Sequence, residues 1–192
     1  IDEADDFTWV TFSPDGGRIA YGARKGKQWT ANVDGVVGPA FDRISYVAFS
    51  ADGKRTGYTA TTGGAGHLVI DGERLPATFD DFGVPSFSRD GKRTAVVGYR
   101  KVDDKNYRQV PVIDGVAGDA YDGVVGLDFS PDGTHVAFAA RRGESRMVVL
   151  DGKILGEGWD RVRAPSFSPD GRRLMTVILK DRVLERKVYP VR

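Results

Sequence analysis

Short runs of apolar residues alternate with polar turns along the whole chain. Examples are residues 9–12, 45–49, 135–140 and 146–150. These runs have the length of strands, and no longer stretch shows the 3.6-residue period of an amphipathic helix. The pattern therefore predicts a protein built from many short antiparallel strands joined by tight turns.

The turns contain a five-residue motif, Phe-Ser-x-Asp-Gly, which occurs five times. Its copies are residues 12–16, 49–53, 87–91, 129–133 and 167–171, and three of them have Pro at the third position. Pro fixes φ, Asp bonds back to the local backbone and Gly accepts positive φ, so the motif predicts a tight turn. A hydrophobic-Asp-Gly triplet recurs at residues 33–35, 70–72, 113–115 and 150–152 and predicts a hairpin in each repeat.

The spacing of the motif predicts a ring. Successive motif Phe residues lie 37, 38, 42 and 38 residues apart, and another 37 residues lead from Phe167 through both termini to Phe12. Four short strands repeated at this period are typical of a propeller blade. We expect an all-β, five-bladed β-propeller, forming a single domain over residues 1–192, in which residues 1–5 complete the last blade as its fourth strand.

The motif also predicts the packing between blades. The Phe of each motif is expected to pack between neighbouring blades, in the same layer as Tyr21, Tyr58, Val96 and Phe138, nine residues further on.

The motif, followed by a basic residue and an apolar pair, resembles the PD40 or TolB-like repeat of the WD40-like bacterial β-propellers. All five units match at Phe, Ser, Asp and Gly. The resemblance implies the fold, a periplasmic or secreted location, and either a partner-binding scaffold or a propeller attached to a peptidase. The chain departs from TolB in having five blades rather than six and no room for an additional α/β domain.

The composition narrows the classes of partner and site that are expected. With 28 Lys and Arg against 27 Asp and Glu, the net charge is +1, less basic than is usual for a nucleic-acid binder, so we predict no nucleic-acid partner. The absence of Cys excludes disulfides and thiolate metal sites. No apolar run could span a membrane and the N-terminus has no signal peptide pattern. We expect a monomer without a cofactor.

An Asp precedes each motif Phe by seven residues. The set is Asp5, Asp42, Asp80, Asp122 and Asp160. One hypothesis places them in a ring at the mouth of the central channel, where they would bind a cation or basic groups. The other is that each caps its own loop by accepting backbone N–H groups, which the repetition favours, and we predict no metal site.

Four of the five loops between the second and third strands are basic. The candidate partner-binding residues in these loops are Arg24, Lys25, Arg100, Lys101, Lys105, Arg141 and Arg142. These loops are predicted to share one face with the Asp set, opposite the Pro-Asp-Gly and Asp-Gly turns. A basic rim suits an acidic protein surface or an anionic ligand, although solvated charge is the simpler alternative. The third loop is the longest and breaks the repeat, as partner-binding loops often do.

The sequence contains no convincing catalytic set. His67 and His135 differ in repeat position, and the repeated Ser residues belong to turns. The five Asp residues occupy equivalent positions, whereas a general acid and a general base need different environments. We therefore predict a non-catalytic binding or scaffold module for protein partners. The alternatives are a lectin-like propeller with small-ligand sites in or between blades, and a hydrolase that uses carboxylates of the central channel.

Overall fold

The computed structural model describes residues 3–45, 47–75 and 79–192, and the regular structure in these ranges consists of β-strands. The strands form five antiparallel sheets that follow one another along the chain. The all-β prediction is confirmed. Within the described ranges, no helix is long and apolar enough to cross a membrane.

Each sheet corresponds to one sequence repeat and is called a blade below. The first blade contains β1 (Asp6–Phe12), β2 (Ile19–Lys25), β3 (Gln28–Val33) and β4 (Val36–Phe41). The second contains β5 (Arg43–Ile44), β6 (Ala48–Phe49), β7 (Thr56–Thr62), β8 (Ala65–Ile70) and β9 (Glu73–Arg74). The third contains β10 (Asp81–Phe82), β11 (Ser86–Phe87), β12 (Thr94–Lys101), β13 (Tyr107–Ile113) and β14 (Val116–Ala117).

The last two blades follow the same plan. The fourth contains β15 (Gly123–Phe129), β16 (Val136–Arg142), β17 (Ser145–Leu150) and β18 (Lys153–Trp159). The fifth contains β19 (Arg161–Val162), β20 (Ser166–Phe167), β21 (Arg173–Lys180) and β22 (Val183–Pro190). In the second, third and fifth blades two short strands share the first position, because both pair with the second strand.

The predicted Asp-Gly hairpins are confirmed by their backbone angles. Asp34, for example, has a φ of 53° and Gly35 a φ of 86°, and the three equivalent pairs are similar. Positive φ at both central residues defines a type I′ turn, whose twist matches that of the strands it joins. Asp tolerates this conformation better than most residues and Gly adopts it without strain.

The Phe-Ser-x-Asp-Gly turn is held by a buried hydroxyl. Ser130 Oγ donates to the Asp132 carboxylate at 2.5 Å and accepts the backbone N–H of His135 at 2.9 Å. The equivalent Ser residues make the same two bonds in the other four blades and are at most 4% exposed. The motif Ser residues therefore stabilise turns, as their repetition predicts.

An arginine after each of the first three turns fastens one blade to the next. Arg55 Nε donates to the Asp71 carboxylate at 2.8 Å, and its Nη1 donates to two carbonyl oxygens of the third blade, those of Gly91 and Lys92, at 2.9 and 3.0 Å. The guanidinium also lies over the Phe87 ring, 5.4 Å from its centre. Arg18 and Arg93 make the same contacts at their junctions. We call this set of contacts the arginine bridge.

Hydrophobic clusters fill the space between neighbouring blades. The first cluster combines Ala20 and Phe41 of the first blade with Tyr58 and Val69 of the second, and Phe49 packs against it. The motif residues Phe87, Phe129 and Phe167 belong to, or pack against, the clusters at the later junctions. The predicted role of the motif Phe is thus confirmed at these four positions.

The two ends of the chain differ from the prediction. Phe12 is 61% exposed, because no described residue covers that side of the first blade as the preceding blades cover Phe49 and Phe87. The backbone N–H of Asp5 bonds to the carbonyl of Arg24, which places Asp5 in the first blade rather than the last. Ile1 and Asp2, which belong to the predicted closing strand, lie outside the described residues. In the described ranges β22 is an edge strand.

The motif turns predict how stability depends on pH. The Ser130 hydroxyl, followed by the N–H and the hydroxyl of Thr134, lowers the pKa of Asp132 from 3.8 to about 2. The four equivalent Asp residues have lowered pKa values for the same main reason, a hydroxyl donor. Since the folded state favours the charged carboxylates, their contribution is complete above about pH 4 and is lost as the pH falls through about 2.

We therefore expect the urea midpoint of unfolding to fall between pH 4 and pH 2. An Asp132→Asn variant should unfold at a lower urea concentration at neutral pH, since the charge-assisted bonds are lost. Its midpoint should also fall less on acidification, because one of the five titrating carboxylates is gone. The same pH dependence in the variant and the original protein would contradict this account of the turn.

Candidate functional site

The two ends of the blades carry different loops, as predicted. Arg18 links the Asp34 hairpin of the first blade to Gly53 in the motif turn of the second, so both kinds of turn lie on one end, the turn face. Asp42 accepts the N–H of Gly63, in the loop between β7 and β8. The Asp set and the loops between second and third strands therefore share the other end, the loop face.

Each of the five Asp residues caps a loop of its own blade. The carboxylates accept the backbone N–H found 21 residues later: Gly26 to Asp5 at 2.6 Å, Gly63 to Asp42 at 2.8 Å, Lys101 to Asp80 at 2.7 Å, Gly143 to Asp122 at 2.6 Å and Asp181 to Asp160 at 2.9 Å. This geometry gives every carboxylate the capping role that the repetition favours. In the described part of the chain, no group of three or more His, Asp or Glu residues could hold a metal ion.

Asp122 has the most contacts of the five. Besides capping Gly143, its carboxylate forms an ion pair with Arg108. The Gly143 N–H bond, and then the charges of Arg108 and Arg141, lower the pKa of Asp122. This carboxylate therefore remains charged at neutral pH and joins the Gly143 loop of the fourth blade to β13 of the third.

Two of the predicted partner-binding residues support their own loops. Arg24 donates to the carbonyl of Gly26 at 2.8 Å and pairs with Asp6, and its guanidinium lies 5.7 Å from the centre of the Trp29 ring. Arg141, at the equivalent repeat position, donates to the carbonyls of Gly143 and Asp122 at 3.2 Å. Both side chains are therefore engaged in holding the loop turn.

Arg100 and Arg142 follow one position later and are held differently. Arg100 lies over the ring of Phe79, 4.8 Å from its centre, and Arg142 lies over Tyr121 at 5.1 Å. Each ring comes from the last segment of the preceding blade, so each stack crosses a junction. Stacking fixes the plane of a guanidinium while its edge can still bond to a partner. Arg142 also pairs with Asp119 at 3.5 Å, with half of its side chain exposed.

The long loop of the third blade projects beside Arg100. Its tip is ordered by Asp103, whose carboxylate accepts the N–H groups of Lys105 and Asn106 at 2.9 Å as well as the Asn106 side-chain amide. These bonds, the Asn106 side chain first, lower the pKa of Asp103. The flanking apolar residues Val102 and Tyr107 are 61% and 43% exposed.

The lysines of the face differ in their pairing. Lys101 forms an ion pair with Asp104 at 2.8 Å. Lys25 and Lys105 are exposed and form no ion pair with the described residues. Of the seven predicted residues, Arg100, Lys101 and Lys105 lie together in the third blade, Arg141 and Arg142 lie in the next blade, and Arg24 and Lys25 lie in the first.

The histidines lie in separate places. His135 occupies the arginine-bridge position of the fourth blade, and its Nδ1 bonds to the Asp151 carboxylate at 2.6 Å. His67 lies in the second blade beside Arg74, and burial, followed by the charge of Arg74, lowers its pKa. The sequence predicted Arg100 and Arg142 as partner-binding residues but not their stacking on Phe79 and Tyr121, for which the aromatic residue before each of Asp80 and Asp122 was a usable signal.

Comparisons with known proteins found similarity among solved structures. No family model matches the chain, and no curated protein matches it. The β-propeller domain of the Trilobed protease from Pyrococcus furiosus is 12% identical, with a TM-score of 0.51, over 96% of this chain and 70% of that one. The acylaminoacyl peptidase of Pyrococcus horikoshii is 12% identical, with a TM-score of 0.53, over 97% of this chain and 38% of the peptidase.

TolB from Acinetobacter baumannii is also similar. It is 21% identical over 97% of this chain, with a TM-score of 0.48, and the chain spans 55% of the TolB length. The chain thus corresponds to about half of TolB and to a smaller share of the peptidase. At these identities the matches bear on the fold alone, and the two with the higher TM-scores show that the chain has a β-propeller fold.

Proposed function

We propose that the protein is a non-catalytic binding module that recognises an acidic surface of a protein partner through the loop face of its third and fourth blades. The observation that carries this proposal is the pair of stacked arginines, Arg100 and Arg142, beside the projecting loop with exposed Val102 and Tyr107. Arg and Tyr are the residue types that most often dominate the energy of protein interfaces.

The stacks supply pre-organisation. A free arginine side chain loses rotamer entropy when it binds a carboxylate, whereas a guanidinium already held over a ring loses less. Phe79 and Tyr121 are at most 6% exposed, so both rings are rigid supports. The bidentate edge of each guanidinium then matches a carboxylate of the partner.

The site is confined to part of the face because the repeat varies there. The positions equivalent to Arg100 and Arg142 hold Thr62 in the second blade and Lys180 in the fifth. The extended loop belongs to the third blade alone among the five repeats. A local departure from a repeated scaffold is where a specific contact is expected. Because the net charge is only +1, the attraction for an acidic partner would be local.

We also propose that the first and last blades close on each other, as the repeat spacing predicts. The free sides of these two blades carry the residues that form an arginine bridge elsewhere. On the last blade, Arg173 occupies the repeat position of Arg55. On the first blade, the partners equivalent to Phe87, Gly91 and Lys92 are Phe12, Gly16 and Gly17. This contact would supply an arginine bridge at the seam.

Charge reversal tests the binding face. An Arg100→Glu/Arg142→Glu variant should retain its fold but lose capture of acidic partners from an extract of cells that carry the protein, by about tenfold or more. The control is Lys92→Glu/Lys153→Glu, which makes the same charge change on the turn face and should capture normally. Quantitative mass spectrometry of the captured proteins at low and high salt gives the measurement. Equal capture by both variants would refute the proposed face.

Substitution of Asp42 separates capping from cation binding. Asp42→Ala removes the acceptor for Gly63 and should lower the Tm by about 3 °C, whereas Asp42→Asn retains an acceptor oxygen and should lower it less. Calcium or magnesium should leave the Tm of the original protein unchanged. A Tm that rises with either ion, and fails to rise in Asp42→Asn, would instead support the cation ring.

Closure can be tested by comparing two arginines. Arg55→Ala removes two bonds to the third blade and a ring contact, and should reduce the free energy of unfolding by about 2 kcal/mol. If the ends close, Arg173→Ala should cost a similar amount in denaturant titrations. Little or no loss in Arg173→Ala, with the full loss in Arg55→Ala, would show that the ends of this chain do not meet.

A further inference from the structure

Two cavities of nearly equal size lie between neighbouring blades on the side of the turn face. One, of about 460 Å³, lies between the first and second blades, and the other, of about 440 Å³, lies between the third and fourth. Most positions of the two linings correspond in the repeat, for example Gly38 to Gly118 and Tyr58 to Phe138. The two cavities are therefore repeats of one architectural feature.

One repeat position differs between the junctions that carry these two cavities and the other two junctions. Gly38 and Gly118 occupy it where the cavities are large. The equivalent residues at the other two junctions are Leu75 and Leu155, which pack against the clusters between blades. Between the second and third blades the cavity on the turn-face side is smaller, about 270 Å³, while a separate cavity of about 750 Å³ lies towards the loop face. Loss of the leucine side chain thus leaves room for a small molecule.

Tyr58 lines the first cavity and carries a buried polar group. Tyr58 is 3% exposed, and its hydroxyl has no hydrogen-bond partner among the described residues. A Cβ added to Gly38 would lie 3.0 Å from this hydroxyl oxygen, so the glycine allows the close approach. Buried polar groups without partners are uncommon because they are costly. Burial raises the pKa of Tyr58 to about 12, which keeps the hydroxyl neutral and able to donate.

The rim of this cavity is polar but electrically balanced. Arg18 pairs with Asp34 at 2.7 Å and Arg55 pairs with Asp71 at 2.8 Å, and all four residues line the opening. The lining also includes the apolar residue Val33. Paired charges offer both donors and acceptors without favouring a charged ligand, and an apolar wall suits a C–H surface.

We propose that the cavity between the first and second blades binds a neutral, monosaccharide-sized polyhydroxy compound, one hydroxyl of which pairs with the Tyr58 hydroxyl. The volume lies within the range of small-molecule sites. A pyranose ring combines an apolar face for the wall with hydroxyl groups for the two ion pairs. The sister cavity has Phe138 in place of Tyr58 and lacks this hydroxyl partner.

The repeat itself provides the variants for a test. Gly38→Leu/Tyr58→Val copies the pair Leu75 and Val96 found at the next junction, so the fold already accommodates this packing, and it fills the cavity. Tyr58→Phe copies the sister cavity and removes only the hydroxyl. Gly118→Leu fills the sister cavity and is the matched control. Circular dichroism and the Tm verify that each variant is folded.

The probes are the methyl glycosides of glucose, galactose and mannose, with glycerol and sorbitol as open-chain polyols. Binding is detected by saturation-transfer NMR and quantified by titration calorimetry. At least one cyclic probe should saturate the original protein and the Gly118→Leu control with the same Kd. Tyr58→Phe should weaken that binding by about five- to tenfold, as expected for one net hydrogen bond, and the filled variant should abolish it.

Three results would overturn the proposal. The first is no saturable binding of any probe to the original protein. The second is equal binding by the filled variant, which would place the ligand elsewhere. The third is loss of binding in Gly118→Leu alone, which would assign the ligand to the sister cavity. Binding of only the open-chain polyols would restrict the ligand to linear compounds. The Arg100→Glu/Arg142→Glu variant should bind the probes normally, so failure of the loop-face proposal is distinguishable.

Discussion

The arginine bridge is the interaction on which the rest of the structure depends. A single side chain bonds to the hairpin carboxylate of its own blade, to two carbonyls of the next blade and to the next motif phenylalanine. It thereby couples the Asp-Gly hairpin to the motif turn and sets the spacing between blades. The Arg55 side chain is about one third exposed, so its charge remains in contact with water while its aliphatic part packs and its N–H groups donate hydrogen bonds. Burying the guanidinium charge without such partners would be costly.

Repetition separates scaffold from site in this molecule. The motif Ser and Asp, the hairpin Asp-Gly and the loop-capping Asp recur because every blade needs the same turns closed. Specific chemistry is therefore expected at positions that the scaffold leaves free. Two such positions stand out: the one that holds Arg100 and Arg142 on the loop face, and the one that alternates between Gly38 and Leu75 at the junctions.

Much of the fold could be predicted from the sequence, because it depends on local chemistry. Asp34-Gly35 specifies its hairpin through backbone angles, and the recurrence of the motif Phe predicted its packing between blades at four of its five positions. The position of Asp5 and the exposure of Phe12 were not predictable, since they depend on which surfaces meet at the seam. Predicting the stacked arginines would require knowing which aromatic ring lies across each junction. Predicting the cavity at Gly38 would require knowing that Tyr58 of the next blade lies beside it.

The two sites follow from the same geometry. A blade junction is stabilised by one bridge at the turn face and by an aromatic residue near the loop face, so the space between these levels is free to vary. On the turn-face side, Leu75 packs into the second junction, whereas Gly38 leaves a cavity of about 460 Å³ at the first. The bridge remains intact in both cases, with Nε–carboxylate distances of 2.7 and 2.8 Å. Ligand space can thus be gained or lost by one substitution while the contacts that join the blades are kept.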